Sequence, residues 1–182
     1  MSNSKSPVET PSLKRRLICL VYEAFLVTAV VMLGLLIFLL LAHLFKVDAK
    51  GPVVFYGRTI VLFVVAGVYF VHCWTDSGHT LAMKTWRIKL VKVGYANVPV
   101  KAAVLRYVFA WGWLLPAVVV CFVLGLRGKA EVATVVAIGI VVWGLTVFLD
   151  KDRQFLHDKL AGTRLILLPK PEKAIKPAKA AR

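Results

Sequence analysis

Four long apolar runs divide the chain, and short polar segments separate them. The runs predict membrane spans at residues 17–45, 55–74, 102–126 and 132–149. A helix crosses the hydrocarbon core of a bilayer with roughly 20 apolar residues, and the shortest run just suffices. The pattern therefore predicts an all-α membrane protein, a four-transmembrane-helix bundle.

Two polar segments carry patterns of their own. Residues 78–101 begin with helical spacing and alternate apolar and basic positions from Trp86, which predicts a short basic amphipathic helix and then a strand at 88–93. After the last span, residues 154–160 predict a helix along the membrane surface and residues 163–168 a second strand. Because a lone strand leaves backbone groups unpaired, we expect the two strands to form a small cytoplasmic sheet.

The two ends of the chain lack periodicity. Residues 1–13 predict a disordered cytoplasmic tail, and residues 169–182, rich in Lys, Pro and Ala, predict a basic disordered tail. The membrane domain is therefore expected at 14–168. The first apolar run is about twice as long as the apolar region of a signal peptide and lacks a cleavage motif, so we expect a retained span.

The distribution of positive charge predicts the orientation. In chain order, the five segments between and beside the spans hold four, three, six, two and nine of the 24 Lys and Arg, if Arg58 and Arg106, near the ends of their spans, are counted with the adjoining segments. Cytoplasmic segments carry the excess of Lys and Arg, so both termini are expected in the cytoplasm. The net charge of +15 flanks apolar runs, which favours contact with the bilayer and anionic lipid over nucleic acid.

Composition and cysteine spacing narrow the chemistry. A hydrophobic fraction of 59% and a mean hydropathy of +0.77 are typical of a membrane protein. The three cysteines lie in or beside apolar runs, and we expect buried thiols without a disulfide. The residues His72, Cys73, Asp76 and His79 match no zinc spacing, so no metal and no cofactor is predicted.

An acid in the first span is costly and calls for a reason. Arg16 and Glu23 are two helical turns apart and share one face of that helix. Glu23 either faces the bundle interior, as part of a polar site for an ion or proton, or extends to the lipid headgroups. The sequence leaves both interpretations open.

The pair His157 and Asp158 admits a catalytic, metal-binding or structural interpretation. Adjacent residues of a helix point in different directions, so they cannot share a metal without a third element. The structural interpretation has Asp158 capping a helix or forming a salt bridge with Arg16 or Arg106. No phosphate loop, nucleophile elbow or zinc-protease helix is present in the sequence, and we expect no enzyme.

Three stretches together resemble the RDD family of bacterial membrane proteins, named for one arginine and two aspartates. Residues 16–23 are similar to the family's arginine followed seven residues later by an acid. Residues 78–84 resemble its glycine-x-threonine-leucine-glycine-lysine stretch, and residues 156–163 are the most specific match. Arg106 falls where the family usually carries an arginine.

The resemblance implies a set of site residues. The charged cluster is Arg16, Glu23, Arg106 and Asp158, with supporting residues His157, Gly78, Thr80, Lys84, Gly162 and Thr163. Glu23 replaces the family's first aspartate and Ala82 its second motif glycine. The longer acid argues against tight metal geometry and is compatible with a salt bridge or a proton site.

Two functions follow as hypotheses. The first is transport of an ion or small solute across the bacterial inner membrane, since ion–proton exchange has been proposed for some members of the family; four short helices enclose little volume, so a homo-oligomer is expected. The alternative is a non-transporting accessory or scaffold protein that binds a partner protein or anionic lipid. In that case Arg16 and Asp158 clasp the cytoplasmic layer to the helix ends. The solute stays unidentified.

Overall fold

The computed structural model describes residues 9–112, 114–150 and 154–170. The helices and strands are, in chain order, α1 (Leu13–Leu44), α2 (Pro52–Asp76), α3 (Leu81–Thr85), β1 (Ile88–Val91), α4 (Val100–Ala110), α5 (Leu114–Val123), α6 (Lys129–Leu145), a 3-10 helix (Thr146–Leu149), α7 (Leu156–Leu160) and β2 (Arg164–Leu167). Most of the two predicted tails, residues 1–8 and 171–182, lies outside the described residues. The described chain has four helical stretches long and apolar enough to cross a membrane, which confirms the predicted fold class.

The first two spans form a helical hairpin with close contacts at small residues. A Cβ atom at Gly34 would lie 2.8 Å from a methyl of Val65, and one at Gly57 would lie 2.5 Å from the Phe38 ring. Membrane helices approach closely where one of them carries glycine, because association depends on packing rather than on hydrophobic burial. Glycine at both positions therefore sets the spacing of α1 and α2.

The third span consists of two helices, α4 and α5, separated after Ala110. Pro116 has no backbone N–H to donate and its ring collides with the carbonyl group four residues earlier, that of Gly112. The chain turns tightly there instead, with the Gly112 N–H donating to the Phe109 carbonyl oxygen at 2.9 Å. The proline thus follows a break in the helix about one turn earlier in the chain.

The fourth span is α6 with the 3-10 helix that follows it. Its first turn is capped by Glu131, whose carboxylate accepts a hydrogen bond from the Gly128 N–H at 3.2 Å. No residue of α6 is buried in the described structure. This helix packs mainly against α5, so most of its surface is available to lipid or to another protein.

The two predicted strands pair beside the ends of the spans, as expected. They are antiparallel, with Ile88 opposite Leu167 and Val91 opposite Arg164. A two-stranded sheet is marginally stable alone, and this one is stabilised by the burial of Ile88 and Leu90 on its inner face. We refer to the sheet with α3 and α7 as the cytoplasmic layer, after the side of the membrane on which the charge distribution predicts it.

Neighbouring segments cover both outer edges of the sheet. The Leu90 N–H donates to the Gly78 carbonyl oxygen at 2.7 Å. At the other edge, the side-chain amide of Gln154 bonds both backbone groups of Leu165, at 3.0 and 3.3 Å. An exposed strand edge can pair with a strand of another molecule, and these hydrogen bonds occupy backbone groups that such pairing would use.

The layer also includes residues 9–12, which the sequence assigns to a disordered tail. The Leu167 N–H donates to the carbonyl oxygen of Glu9 at 2.8 Å, and Pro11 is fully buried. The contact is made by one backbone group, one proline ring and the Thr10 hydroxyl, which accepts a hydrogen bond from the Gln154 side-chain amide at 3.4 Å. Such contacts leave no periodicity in the sequence.

Gly78 ends the second span with a backbone conformation that favours glycine. Its φ is +78°, and a Cβ atom would lie 2.8 Å from the Leu90 carbonyl oxygen. We expect Gly78→Ala to destabilise the protein by more than the roughly 1–2 kcal/mol of a left-handed conformation, because the methyl group also displaces the edge of the sheet. Thermal unfolding in detergent measures the loss.

The matched control is Gly94→Ala. Gly94 has a φ of +83° with nothing within 4 Å of the added methyl, so it bears the conformational cost without the collision. Equal losses of stability in the two variants would contradict a role for the close approach to Leu90.

Candidate functional site

The carboxylate of Glu23 is buried and held by two hydroxyl groups. Glu23 is 8% exposed, and its Oε1 accepts a hydrogen bond from the Tyr69 hydroxyl at 2.8 Å. Its Oε2 accepts one from the Thr80 hydroxyl. Tyr69 belongs to α2 and Thr80 precedes α3, so the carboxylate joins the first span to the second and to the cytoplasmic layer. Of the two positions that the sequence left open for the Glu23 side chain, the structure shows the bundle interior rather than the lipid headgroups.

The Thr80 hydroxyl is oriented by the helix that it begins. It caps α3 by accepting a hydrogen bond from the Met83 N–H at 3.2 Å, and the residue is 1% exposed. A hydroxyl has one hydrogen to donate, and here that hydrogen goes to Glu23. The cap therefore orients the Thr80 hydroxyl toward the Glu23 carboxylate. The left-handed turn at Gly78 brings Thr80 close to Glu23.

In the part of the chain that the structure describes, the groups that hydrogen-bond this carboxylate are both neutral. Among the described residues, no Lys, Arg or His nitrogen pairs with Glu23 within 4.0 Å. A buried charge without a paired opposite charge is costly, and a proton or a small cation relieves that cost. The Glu23 carboxylate therefore has two hydroxyl donors and no charged partner among the described residues.

A second buried group joins α4 to the cytoplasmic layer. The Nε of Arg106 donates to Oδ1 of Asp158 at 2.7 Å, and Asp158 is 0% exposed. The Arg106 guanidinium carbon also lies 4.1 Å from the centre of the Trp74 ring on α2. The positive charge of Arg106 is therefore stabilised both by the Asp158 carboxylate and by the face of the Trp74 ring.

The turn after α7 positions this carboxylate. The Asp158 carbonyl oxygen accepts hydrogen bonds from the Thr163 N–H at 2.9 Å and from the Thr163 hydroxyl at 3.2 Å. Gly162, with a φ of +65°, provides the left-handed residue that ends a helix in this way. Gly162 and Thr163 are therefore positioning residues that lead the chain from Asp158 into β2.

His157 is a neutral packing residue next to the ion pair. Burial lowers its pKa to about 4, with Arg106 acting in the same direction and Asp158 in the opposite one. Its ring stacks on Phe155, with centroids 5.5 Å apart, and its Nε2 lies 3.7 Å from Oδ2 of Asp158. At neutral pH the histidine therefore contributes no charge.

Arg16 docks the start of α1 on the cytoplasmic layer. Its guanidinium carbon lies 5.0 Å from the centre of the Phe155 ring, the residue before α7. Of the two arginines that the sequence offers to Asp158, Arg106 forms the ion pair and Arg16 contacts the neighbouring ring. The predicted clasp thus has Arg106 at its centre.

The charged residues that the sequence treats as one cluster form two contact groups. One is Glu23 with Tyr69 and Thr80. The other consists of Arg106, Asp158 and Trp74 with the neighbouring Arg16 and Phe155. Lys84 is exposed on α3 and takes no part in these contacts.

Sequence reasoning missed three aromatic members of these groups: Tyr69, Trp74 and Phe155. Tyr69 lies within an apolar run, where a tyrosine hydroxyl requires a partner once it is buried, and that requirement is the available signal. Trp74 and Phe155 interact through ring faces, which leave no polar signature in a sequence.

Comparison of the chain with models of protein families matches one described as RDD family over residues 10–162. The match includes both contact groups. No curated protein and no solved structure matches the chain significantly.

Proposed function

Because this chain belongs to the RDD family, and because Glu23 is a buried carboxylate bound by neutral donors, we propose that it exchanges a small cation for protons across the membrane. Glu23 carries the proposal, because it lies on a membrane-spanning helix and because either a proton or a monovalent cation would neutralise its carboxylate. The two hydroxyl groups orient the carboxylate whichever ion it holds. A cation and a proton then compete for one site, and that competition couples their movements.

The position of Glu23 supports access from the cytoplasmic side. The residue lies three turns from the start of α1, close to the layer formed by α3 and the sheet. Thr80 belongs to the layer rather than to a span, so a small movement of the layer would change the donors around the carboxylate. In this proposal the layer opens and closes the site.

The wider proposal places the protein in the bacterial inner membrane with both termini in the cytoplasm. It assigns no enzymatic activity and no cofactor. A homo-oligomer completes the pathway, and α6, which has no buried residue in the described structure, offers a surface for a second copy.

Reconstitution into liposomes tests the proposal. The purified protein is sealed into vesicles that contain a pH-sensitive dye, and Na⁺, K⁺ or Li⁺ is added outside. We expect proton movement that depends on at least one cation and is absent from protein-free vesicles. No proton movement with any of the three, from protein that remains folded, would contradict the proposal.

A second candidate function is that of an accessory or scaffold protein. The buried ion pair between Arg106 and Asp158 favours it, since this contact stabilises the cytoplasmic layer and requires no transported ion. In that case the layer is a platform for a partner protein, and both charges serve stability alone. Cation-dependent proton movement in the liposome assay separates the two candidates.

A further inference from the structure

An apolar groove of about 400 Å³ runs along the membrane-facing side between α2 and α4. Its lining residues are Phe63, Val64, Gly67, Val68, Val71, His72, Val104, Tyr107 and Val108. The floor lies at Gly67, where a Cβ atom would come within 2.9 Å of the Tyr107 ring. The Tyr107 hydroxyl donates to the Phe63 carbonyl oxygen at 2.7 Å, so it offers no free polar group to the groove.

The length of the groove matches one leaflet of a bilayer. From Phe63 to His72 the helix rises about 14 Å, which is close to half of the roughly 30 Å hydrocarbon core. Toward the middle of the membrane, the Phe63 and Trp111 rings, 5.7 Å apart, close the groove where α4 ends. A second copy's spanning helix would need a groove across the whole core, whereas an acyl chain needs this half.

The open end of the groove lies at the cytoplasmic layer and carries a positive charge. Lys101 lies three residues before Val104 and seven before Val108, on the same stripe of α4, one turn beyond the groove. Lys101 and His72 are both exposed. On α2, the acid Asp76 lies one turn beyond His72, so that side of the open end does not attract a phosphate. The positive charge at this end comes from Lys101 on α4.

We propose that the groove holds one acyl chain of an anionic phospholipid from the leaflet next to the cytoplasmic layer, with the lipid phosphate beside Lys101. The apolar lining binds the chain, and the lysine selects the headgroup. This site is distinct from the Glu23 group and does not depend on the exchange proposed above. It makes the lipid a structural partner of α2 and α4, on the side of the bundle that α1 leaves open.

Native mass spectrometry of the detergent-purified protein tests the site, with phosphatidylglycerol and phosphatidylcholine added in turn. We expect one retained phosphatidylglycerol per chain. Val104→Trp fills the groove and should abolish the retained lipid, whereas Val118→Trp, on the exposed surface of α5 outside the groove, should keep it. Lys101→Gln should weaken phosphatidylglycerol binding about fivefold, as expected for one lysine at a headgroup, and Lys129→Gln should leave it unchanged.

Three results would overturn the proposal. Equal lipid retention in Val104→Trp and Val118→Trp would show that the groove does not bind the chain. Equal binding of both lipids by the unmodified protein would remove the role of Lys101, even if Val104→Trp failed to fold. A dimer that dissociates in Val104→Trp, without any retained lipid in the parent, would assign the groove to a second copy.

Discussion

Arg106→Met is expected to lower the free energy of unfolding by about 3–5 kcal/mol, because it leaves the Asp158 carboxylate buried without its partner. Asp158 is 0% exposed, and Oδ1 has its hydrogen bond from Arg106 at 2.7 Å. Oδ2 has no hydrogen bond from any described residue. The carboxylate must then ionise unpaired or take up a proton, and either state costs stability. Chemical or thermal unfolding in detergent, followed by tryptophan fluorescence, measures the loss.

The surface ion pair between Lys159 and Asp150 provides the control. Its atoms are 3.1 Å apart, but the Lys159 side chain is 65% exposed, so Lys159→Met is expected to cost about 0–1 kcal/mol. The double variant Arg106→Met with Asp158→Leu should recover part of the loss, since no buried charge remains. A cost for Arg106→Met no greater than that for Lys159→Met would contradict the assigned role of the ion pair.

Glu23→Gln is expected to reduce cation-dependent proton movement to the level of protein-free vesicles. Glutamine has nearly the shape of glutamate, and Tyr69 and Thr80 can still bond its amide, so we expect a loss of stability of only about 1 kcal/mol. The amide, however, neither takes up a proton at neutral pH nor carries the charge that attracts a cation. The liposome assay and an unfolding measurement on the same preparation separate function from folding.

Two further variants are compared with Glu23→Gln, one with a partial effect and one as a control. Tyr69→Phe removes one donor and keeps the carboxylate, so exchange should weaken without disappearing. Glu131→Gln changes an exposed acid at the start of α6, and exchange should continue at the normal rate. Normal exchange in Glu23→Gln would contradict the proposed site directly.

The spans and the sheet could be predicted from the sequence, because both follow from the pattern of apolar and polar residues along the chain. Apolar runs of the length of a bilayer specify the helices, and alternation from Trp86 specifies β1. The partner of β1 was predictable for a different reason: two lone strands on the same side of the membrane satisfy each other's backbone groups.

The detail of the site depended on contacts between distant residues, which periodicity does not encode. Glu23 lies so near the end of the first span that headgroup and interior positions were equally compatible with its place in the sequence. The interior position is determined by hydrogen bonds from Tyr69 and Thr80, which are 46 and 57 residues away in the sequence. In the same way, the sequence offered both Arg16 and Arg106 as partners of Asp158, and only the packing of α4 against α7 selected Arg106.

The competition of a proton and a cation for Glu23 is most directly measured by infrared difference spectroscopy of the reconstituted protein. The cation that is most active in liposomes is added at fixed pH, and the band of a protonated carboxyl group is followed. The exchange mechanism predicts that this band disappears when the cation binds and that the change is absent from Glu23→Gln. An unchanged band in the parent protein, or the same change in Glu23→Gln, would contradict the assignment of the exchange site to Glu23.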